Sequence, residues 1–189
     1  IHFDNRIVLD EPLYKSVDQV WRLINQPLLN KKHPIQNGAY IYDIYDFNEA
    51  VLREAILNAV AHRDYSIASE VVIKQFPNKI IITNPGGFPK GVNLENILTV
   101  SSTPRSRLLT DILEKTGLVE RSGQGVDKIF SLTLSEGKTE PDYSSSDMFQ
   151  VTLILYSQIT DKAFHIFINE YQHSDKEPKL GVEQIITLY

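Results

Sequence analysis

Apolar positions along the chain fall into two kinds of run, one spaced for helices and one alternating for strands. Arg6 to Leu9 reads as a short strand. Asp10-Glu11-Pro12 then supplies a helix start, and Val17, Val20, Trp21 and Ile24 follow at helical spacing. Asn25 to Gly38, with two prolines and several amides, predicts a loop. Ala39 to Tyr45 alternates and is rich in tyrosine, which predicts a strand with Tyr40 and Tyr42 on one face and Tyr45 on the other. Asn48 is placed to cap a helix running to about Arg63. Residues 69–76 and 79–84 are β-rich runs around Pro77-Asn78 and predict a hairpin. A glycine- and proline-rich turn follows at 85–91. Helices are expected over Val92–Val100, Arg105–Lys115 and Val126–Leu134, then a polar loop from Lys138 to Asp147 and a closing strand, Met148 to Tyr156. The character changes after Tyr156. Thr160 to Tyr171 is a patterned helix, residues 173–179 are polar, and Val182 to Tyr189 opens another helix.

The stretch NEAVLREAILNAVAHRD, Asn48 to Asp64, is the most informative. At roughly 100° per residue, Leu52, Ala55, Ile56, Ala59 and Val60 share one face and predict packing on a sheet. Glu54, Asn58 and His62 follow one another at intervals of four and line a different face. Small neighbours, Ala55, Ala59 and Ala61, leave room beside that acid, amide and imidazole. Two readings stand at this point: a solvated polar face, or one wall of a site. The glycine turn after the hairpin and a later pair, Gly123 and Gly125, favour a site, because glycine lets backbone approach a ligand and amides at a helix start bind phosphate.

Composition narrows the class without choosing between those readings. The chain has 189 residues, 42% hydrophobic and 23% charged, which suits one globular domain with an appendage. With no cysteine, disulfides, thiolate metal sites and cysteine nucleophiles are excluded. The net charge of −5 argues against a strongly basic nucleic-acid module. No run approaches the roughly 18 apolar residues of a membrane span. The chain opens Ile1-His2-Phe3 and its only methionine is Met148, which predicts a piece of a longer protein.

Several motifs lead nowhere. His62-Arg63-Asp64 mimics a kinase catalytic loop, but Ser69 stands where asparagine is needed. A P-loop is absent, so no helicase motor of that kind is expected. His2, His33, His165 and His173 are scattered without metal-ligand spacing. The basic residues between Arg105 and Lys128 read as a solvated face, the alternative being that Arg105 or Arg121 reaches a phosphate.

Glu54-x-x-x-Asn58, Asn84-Pro85-Gly86-Gly87-Phe88-Pro89 and Gly123-Gln124-Gly125 together resemble the Bergerat (GHKL-like) ATP-binding fold. REAILNAVAHRDYS, ITNPGGFPKGV and ERSGQGVDKI resemble more closely its divergent branch, the C-terminal domain of RecG-related helicases and transcriptional regulators. The resemblance spans roughly residues 5–156 and implies an α+β fold. That fold is a two-layer sandwich, a mixed, mostly antiparallel sheet with helices on one face, followed by a C-terminal helical segment. It implies an ATP-binding domain over 1–156. Residues 157–189 would then be a connector helix and the start of a winged-helix module, the alternative being a helical brace on the main domain.

By the same resemblance Asn58 coordinates the Mg2+ that bridges ATP phosphates, and Glu54 polarises the attacking water in members that hydrolyse ATP. Gly86 and Gly87 wrap adenine and ribose, and Gly123 and Gly125 cover the phosphates. His62 lies on the site stripe and is expected against phosphate or Glu54. Asn84 stands where the superfamily normally has an adenine-reading aspartate. The implied protein is a cytoplasmic, bacterial, ATP-binding regulator that reaches DNA through an attached module and self-associates as a homo-oligomer. Two alternatives are an active ATPase using Glu54 and a scaffold that binds no nucleotide.

Overall fold

The computed structural model describes residues 5–100, 104–118, 125–174 and 180–189. Among these residues the elements are helix α1 (Leu13–Ile24), strands β1 (Lys32–Asn37) and β2 (Tyr40–Tyr45), helix α2 (Glu49–Ala61), and strands β3 (Val72–Gln75) and β4 (Lys79–Pro85). Helices α3 (Arg107–Lys115) and α4 (Gly125–Ser135), strand β5 (Gln150–Tyr156) and helices α5 (Lys162–His173) and α6 (Val182–Leu188) complete them. The fold class is α+β, as the sequence implies. All described strand pairs are antiparallel, in a two-stranded ribbon β1-β2 and a three-stranded sheet β3-β4-β5.

Strand register builds the floor of the core. Ile80 pairs with Leu155, Ile82 with Leu153 and Asn84 with Val151, so alternation sets all six on one face of the sheet. Ile80, Ile82, Leu153 and Leu155 are buried there against Leu52, Ala55, Ile56 and Ala59 of α2 and Ile129 and Phe130 of α4. Val17, Val20 and Trp21 of α1 close the same core from outside. The apolar face expected of α2 is the face that packs.

Three local departures have physical causes. Residues 6–9 form no strand, because β-prone residues without a partner have no ladder to join, and Ile7 and Val8 lie exposed. Lys32–Asn37 is a strand despite Pro34: the ribbon consists of edges, where a missing N–H is tolerated. Val92–Val100 forms turns, not a helix. Asn93 Oδ1 accepts from the N–H groups of Glu95 and Asn96, and Asn96 Oδ1 from Asn93 N–H, so the segment forms the reciprocal side-chain cap of a helix start without a regular helix following it.

Asn48 fixes where α2 starts. Its Oδ1 accepts from the N–H groups of Ala50 and Val51 at 2.9 and 3.2 Å, and its Nδ2 donates to Glu136 Oε1 at 2.6 Å. Glu136 in turn holds Lys138 Nζ at 2.6 Å, and Lys138 donates to the Tyr45 carbonyl. Burial pushes the Lys138 ammonium pKa down, while Glu136 pulls it back up. This chain ties the ribbon, the start of α2 and the end of α4 into one unit.

Residues after Tyr156 pack back on α4. Leu134, Ile168 and Ile185 form a small cluster, His165 Nδ1 lies 2.8 Å from the Ser135 carbonyl oxygen, and Ile186 reaches the main core.

Asn48→Ala removes both the cap and the Glu136 contact. It is expected to cost about 1–2 kcal/mol in urea unfolding, with Asn48→Ser recovering part of the loss through a shorter capping oxygen. An unchanged midpoint for Asn48→Ala would show that the cap carries no stability.

Candidate functional site

Glu54, Asn58 and His62 climb α2 at successive turns. They line one cavity of about 810 Å³. Ala55, Ala59 and Ala61 line it too, so the small residues do leave the room their size suggests. Ile82, Asn84, Val151 and Leu153 of the sheet form its floor, and Phe88 and Tyr143 its aromatic wall. Val182 and Glu183 of α6 complete the lining from the far end of the chain.

The polar groups in this space are unusual in what they lack. Among the described residues the buried side-chain atoms without a hydrogen-bond partner are Asn58 Nδ2, His62 Nδ1, Arg63 Nε and Asn84 Nδ2. All but the Arg63 atom belong to residues that line the cavity. A buried polar atom left without a partner costs about 1–3 kcal/mol, so three around one cavity mark a place shaped for something other than stability. Asn84 is the sharpest case: 5% exposed, it is the one polar member of the inward row Ile80, Ile82, Asn84.

Gly125 opens α4 against the stripe. A Cβ there would collide with the Glu54 carboxylate and come within 3.1 Å of Asn58 Nδ2. Only glycine lets the first turn of α4 lie this close, bringing a positive dipole end beside the acid and the amide. Gly123 lies outside the described residues.

The glycine turn divides its work. Gly87 lines the cavity, and a Cβ there would run into the Asp147–Met148 backbone at 2.7–2.9 Å. Gly86 faces away from it. With φ at +88°, it donates its N–H to the Phe149 carbonyl at 2.7 Å, and its Cα side lies on Asp64 and Arg105. Asp64 N–H donates to the Pro85 carbonyl at 2.9 Å. Arg105 donates through Nε to the His62 carbonyl at 3.1 Å and through Nη2 to the Gly87 carbonyl, and its Nη1 sits 3.5 Å from Asp64 Oδ2. One guanidinium thus holds the end of α2 and the glycine turn together. Its placement between backbone carbonyls and Asp64 differs from the solvated face read from sequence.

Electrostatics follow from burial. Desolvation lowers the His62 pKa, and the nearby Arg105 cation lowers it further, so the imidazole is neutral near pH 7. Burial pushes the Tyr143 phenol up, with the Glu54 charge adding to the shift. Tyr143 lies parallel to Phe130 with ring centroids 6.3 Å apart, at 9° between planes. Asp127 is raised by burial and by the Glu183 charge, which places two carboxylates near one another at the α4–α6 side.

Sequence reasoning missed Phe88, Tyr143, Val182 and Glu183 as lining residues. Tyr143 sits in a polar loop with no periodic signal, and α6 enters the site only through tertiary packing. Other histidines serve locally: His33 Nε2 contacts Asp46 Oδ1 at 2.6 Å and His173 Nδ1 lies 2.8 Å from the Asn169 carbonyl oxygen.

Residues 68–153 match the family described as "Putative ATP-dependent DNA helicase recG C-terminal". The RecG-related resemblance therefore holds from β3 to the middle of β5, including Asn84, both turn glycines and α4, while Glu54, Asn58 and His62 lie before the matched segment. The fold is similar to that of the DIP2311 protein from Corynebacterium diphtheriae, with a TM-score of 0.71 and 24% identity over 82% of this chain and 32% of that one. This chain thus spans about a third of the length of that protein, and at this identity the likeness is one of fold. No curated protein matches the sequence. No described helix is long and apolar enough to cross a membrane.

Two measurements check the site. His62 has a folded pKa below its ordinary value of 6.5, so its contribution is intact above that pH and is lost as pH falls through the lower folded value. Unfolding free energy should therefore drop more for wild type than for His62→Gln between about pH 7.5 and about pH 5.5. Asn84→Leu removes an unpartnered amide from an apolar row and should stabilise the ligand-free protein by about 1 kcal/mol, read by calorimetry; a loss of stability would show that the amide has a partner in solution.

Proposed function

We propose that the cavity is a nucleotide pocket and that the chain is an ATP-binding, Mg2+-dependent regulatory domain of a bacterial transcriptional regulator. The observation that carries this reading is the convergence of three unpartnered buried polar groups, Asn58, His62 and Asn84, on one cavity beside a helix start. Its volume falls in the range of about 300–1,000 Å³ usual for small-molecule sites. The match of residues 68–153 to the RecG C-terminal family supports nucleotide binding, and that segment contains Asn84, Gly87 and Gly125.

The residues divide the work by their chemistry. Asn84 and the apolar floor take the base. Gly87 lets backbone approach it, while Gly86 shapes the turn from behind. Gly125, with Gly123 two positions earlier in the sequence, offers the phosphates a helix start and its dipole. His62, neutral, gives the phosphates a hydrogen bond and not a charge.

No group of three or more His, Asp or Glu among the described residues stands ready to hold a metal alone. Mg2+ keeps several waters and takes one or two protein ligands plus phosphate oxygens. Asn58 is the proposed ligand, through its amide oxygen, with Glu54 one turn earlier. The metal would offset phosphate charge. Glu54, buried and lining the cavity, also supports a second reading as an ATPase, in which its carboxylate orients water and accepts its proton.

In the regulatory reading the nucleotide domain covers residues 1–156, and 157–189 leads toward an attached DNA-binding module. Val182 and Glu183 of α6 line the cavity, so occupancy and the packing of this last helix are linked. A ligand shifts such an equilibrium only by its difference in affinity for the two arrangements. Self-association and a cytoplasmic location complete the proposal.

Thermal unfolding with Mg2+ and ATP tests it. Ligand at a hundred times its Kd adds about 2.7 kcal/mol. Asn58→Ala should weaken Mg2+-dependent binding by about tenfold or more, equivalent to about 1.4 kcal/mol. No stabilisation of wild type at millimolar ATP would favour the scaffold reading. Phosphate release abolished by Glu54→Gln with binding intact would favour the ATPase. An Asn58→Ala protein that binds Mg2+ and ATP like wild type would remove the metal assignment.

A further inference from the structure

We infer that the pocket takes 6-oxo purine nucleotides as readily as 6-amino ones, because its base-reading group is a carboxamide that nothing in the protein orients. The inference rests on the nucleotide reading above and adds the class of base to it.

The cavity has two ends of different chemistry. Glu54, Asn58 and His62, with the glycine start of α4, make the polar end. Ile82, Val151 and Leu153 beside Asn84 on the sheet, with Phe88, supply apolar and aromatic surface, while Tyr143 lies within reach of the Glu54 charge. A flat ring belongs at the second end and charged phosphates at the first.

At that second end Asn84 is the only polar side chain in the inward rows of β4 and β5, which otherwise run Ile80, Ile82 and Val151, Leu153, Leu155. It is 5% exposed, and its Nδ2 is sealed from solvent without a partner. Thr83 and Thr152, which hydrogen-bond each other at 3.3 Å, point to the opposite face and offer it nothing. No hydrogen bond of the protein fixes which end of the Asn84 carboxamide faces the cavity, so a turn about its last torsion can bring either the donor or the acceptor to whatever enters.

The chemistry of the group then decides specificity. A carboxylate only accepts, so it selects a base that donates from its 6-position. A carboxamide presents both functions side by side, and a half-turn about its last torsion exchanges them. In one orientation Oδ1 accepts from a 6-amino group while Nδ2 donates to the ring N1. In the other, Nδ2 donates to a 6-oxo group while Oδ1 accepts from the ring N1–H. Strong rejection of an analogue requires that it leave a buried polar group unpaired. Neither purine class does so here, since the amide turns to satisfy both. The surrounding walls are apolar and read ring shape, which the two classes share.

Titration calorimetry of the full chain with Mg2+ and ATP, GTP or ITP tests the inference. For wild type the three Kd values should agree within about tenfold, a spread of about 1.4 kcal/mol. Asn84→Asp restores a group that only accepts, and should weaken GTP and ITP by more than about tenfold relative to ATP. Asn84→Leu, which leaves no charge in the apolar row should the aspartate variant fail to fold, should weaken all three by similar factors. A wild-type preference for ATP beyond about tenfold overturns the inference while leaving the nucleotide reading in place. A ratio that folded Asn84→Asp leaves unchanged, or affinities that Asn84→Leu leaves unchanged, overturn it as well. Failure of all three nucleotides to bind wild type at millimolar concentration overturns the nucleotide reading and the inference together.

Discussion

Helix α2 is enclosed on nearly every side, and the rest of the molecule is arranged around that enclosure. Nine of its 13 residues are buried, Glu54 among them. The sheet takes Leu52, Ala55, Ile56 and Ala59, and α4 lies alongside, while α3 covers Val60 and Ala61 through Leu113. A helix so enclosed has no solvated side to which acid, amide and imidazole can be relegated. They must face either packed protein or a cavity, and here they face a cavity. Asn48 sets where the helix begins, and so which turn each of the three occupies.

The far end of α2 is held by different means. No capping side chain closes it; His62 donates its own N–H back to the Asn58 carbonyl, and its carbonyl receives Arg105. Through Gly87 and Asp64 the same guanidinium reaches the turn that follows β4. Arg105 therefore couples the helix that carries Asn58 to the strand that carries Asn84. Two groups on separate elements keep a set spacing because one forked cation spans the join.

Much of this was legible in the amino-acid order, and the parts that were not share a cause. The cap at Asn48, the apolar face of α2, the hairpin around Pro77-Asn78 and the start of α4 follow from local chemistry, and each stands where its residues indicate. The stripe of Glu54, Asn58 and His62 follows from helical spacing alone. Lys32–Asn37 escaped notice because a ribbon partner, not propensity, makes it a strand. Val92–Val100 carries the capping bonds of a helix start at Asn93 and Asn96 but goes on only as turns. Tyr143, Arg105 and α6 enter the site from loops or distant segments, and no periodicity announces a contact made only by folding. Gly86 is instructive in another way. Its residue type correctly marks a special backbone position, yet its φ of +88° serves the turn and its Asp64 neighbour, whereas Gly87 beside it borders the cavity.

The bare Cα of Gly125 sets the clearance between two rigid bodies. A Cβ on that residue would overlap the Glu54 carboxylate, so any side chain there would hold α4 farther from α2. Interiors packed to crystal-like density transmit such a limit instead of absorbing it. Leu134, at the other end of α4, is seated on Ile168 and Ile185. Thickness inserted at the glycine end must therefore be answered as tilt at the leucine end, and the C-terminal helices ride on that lever.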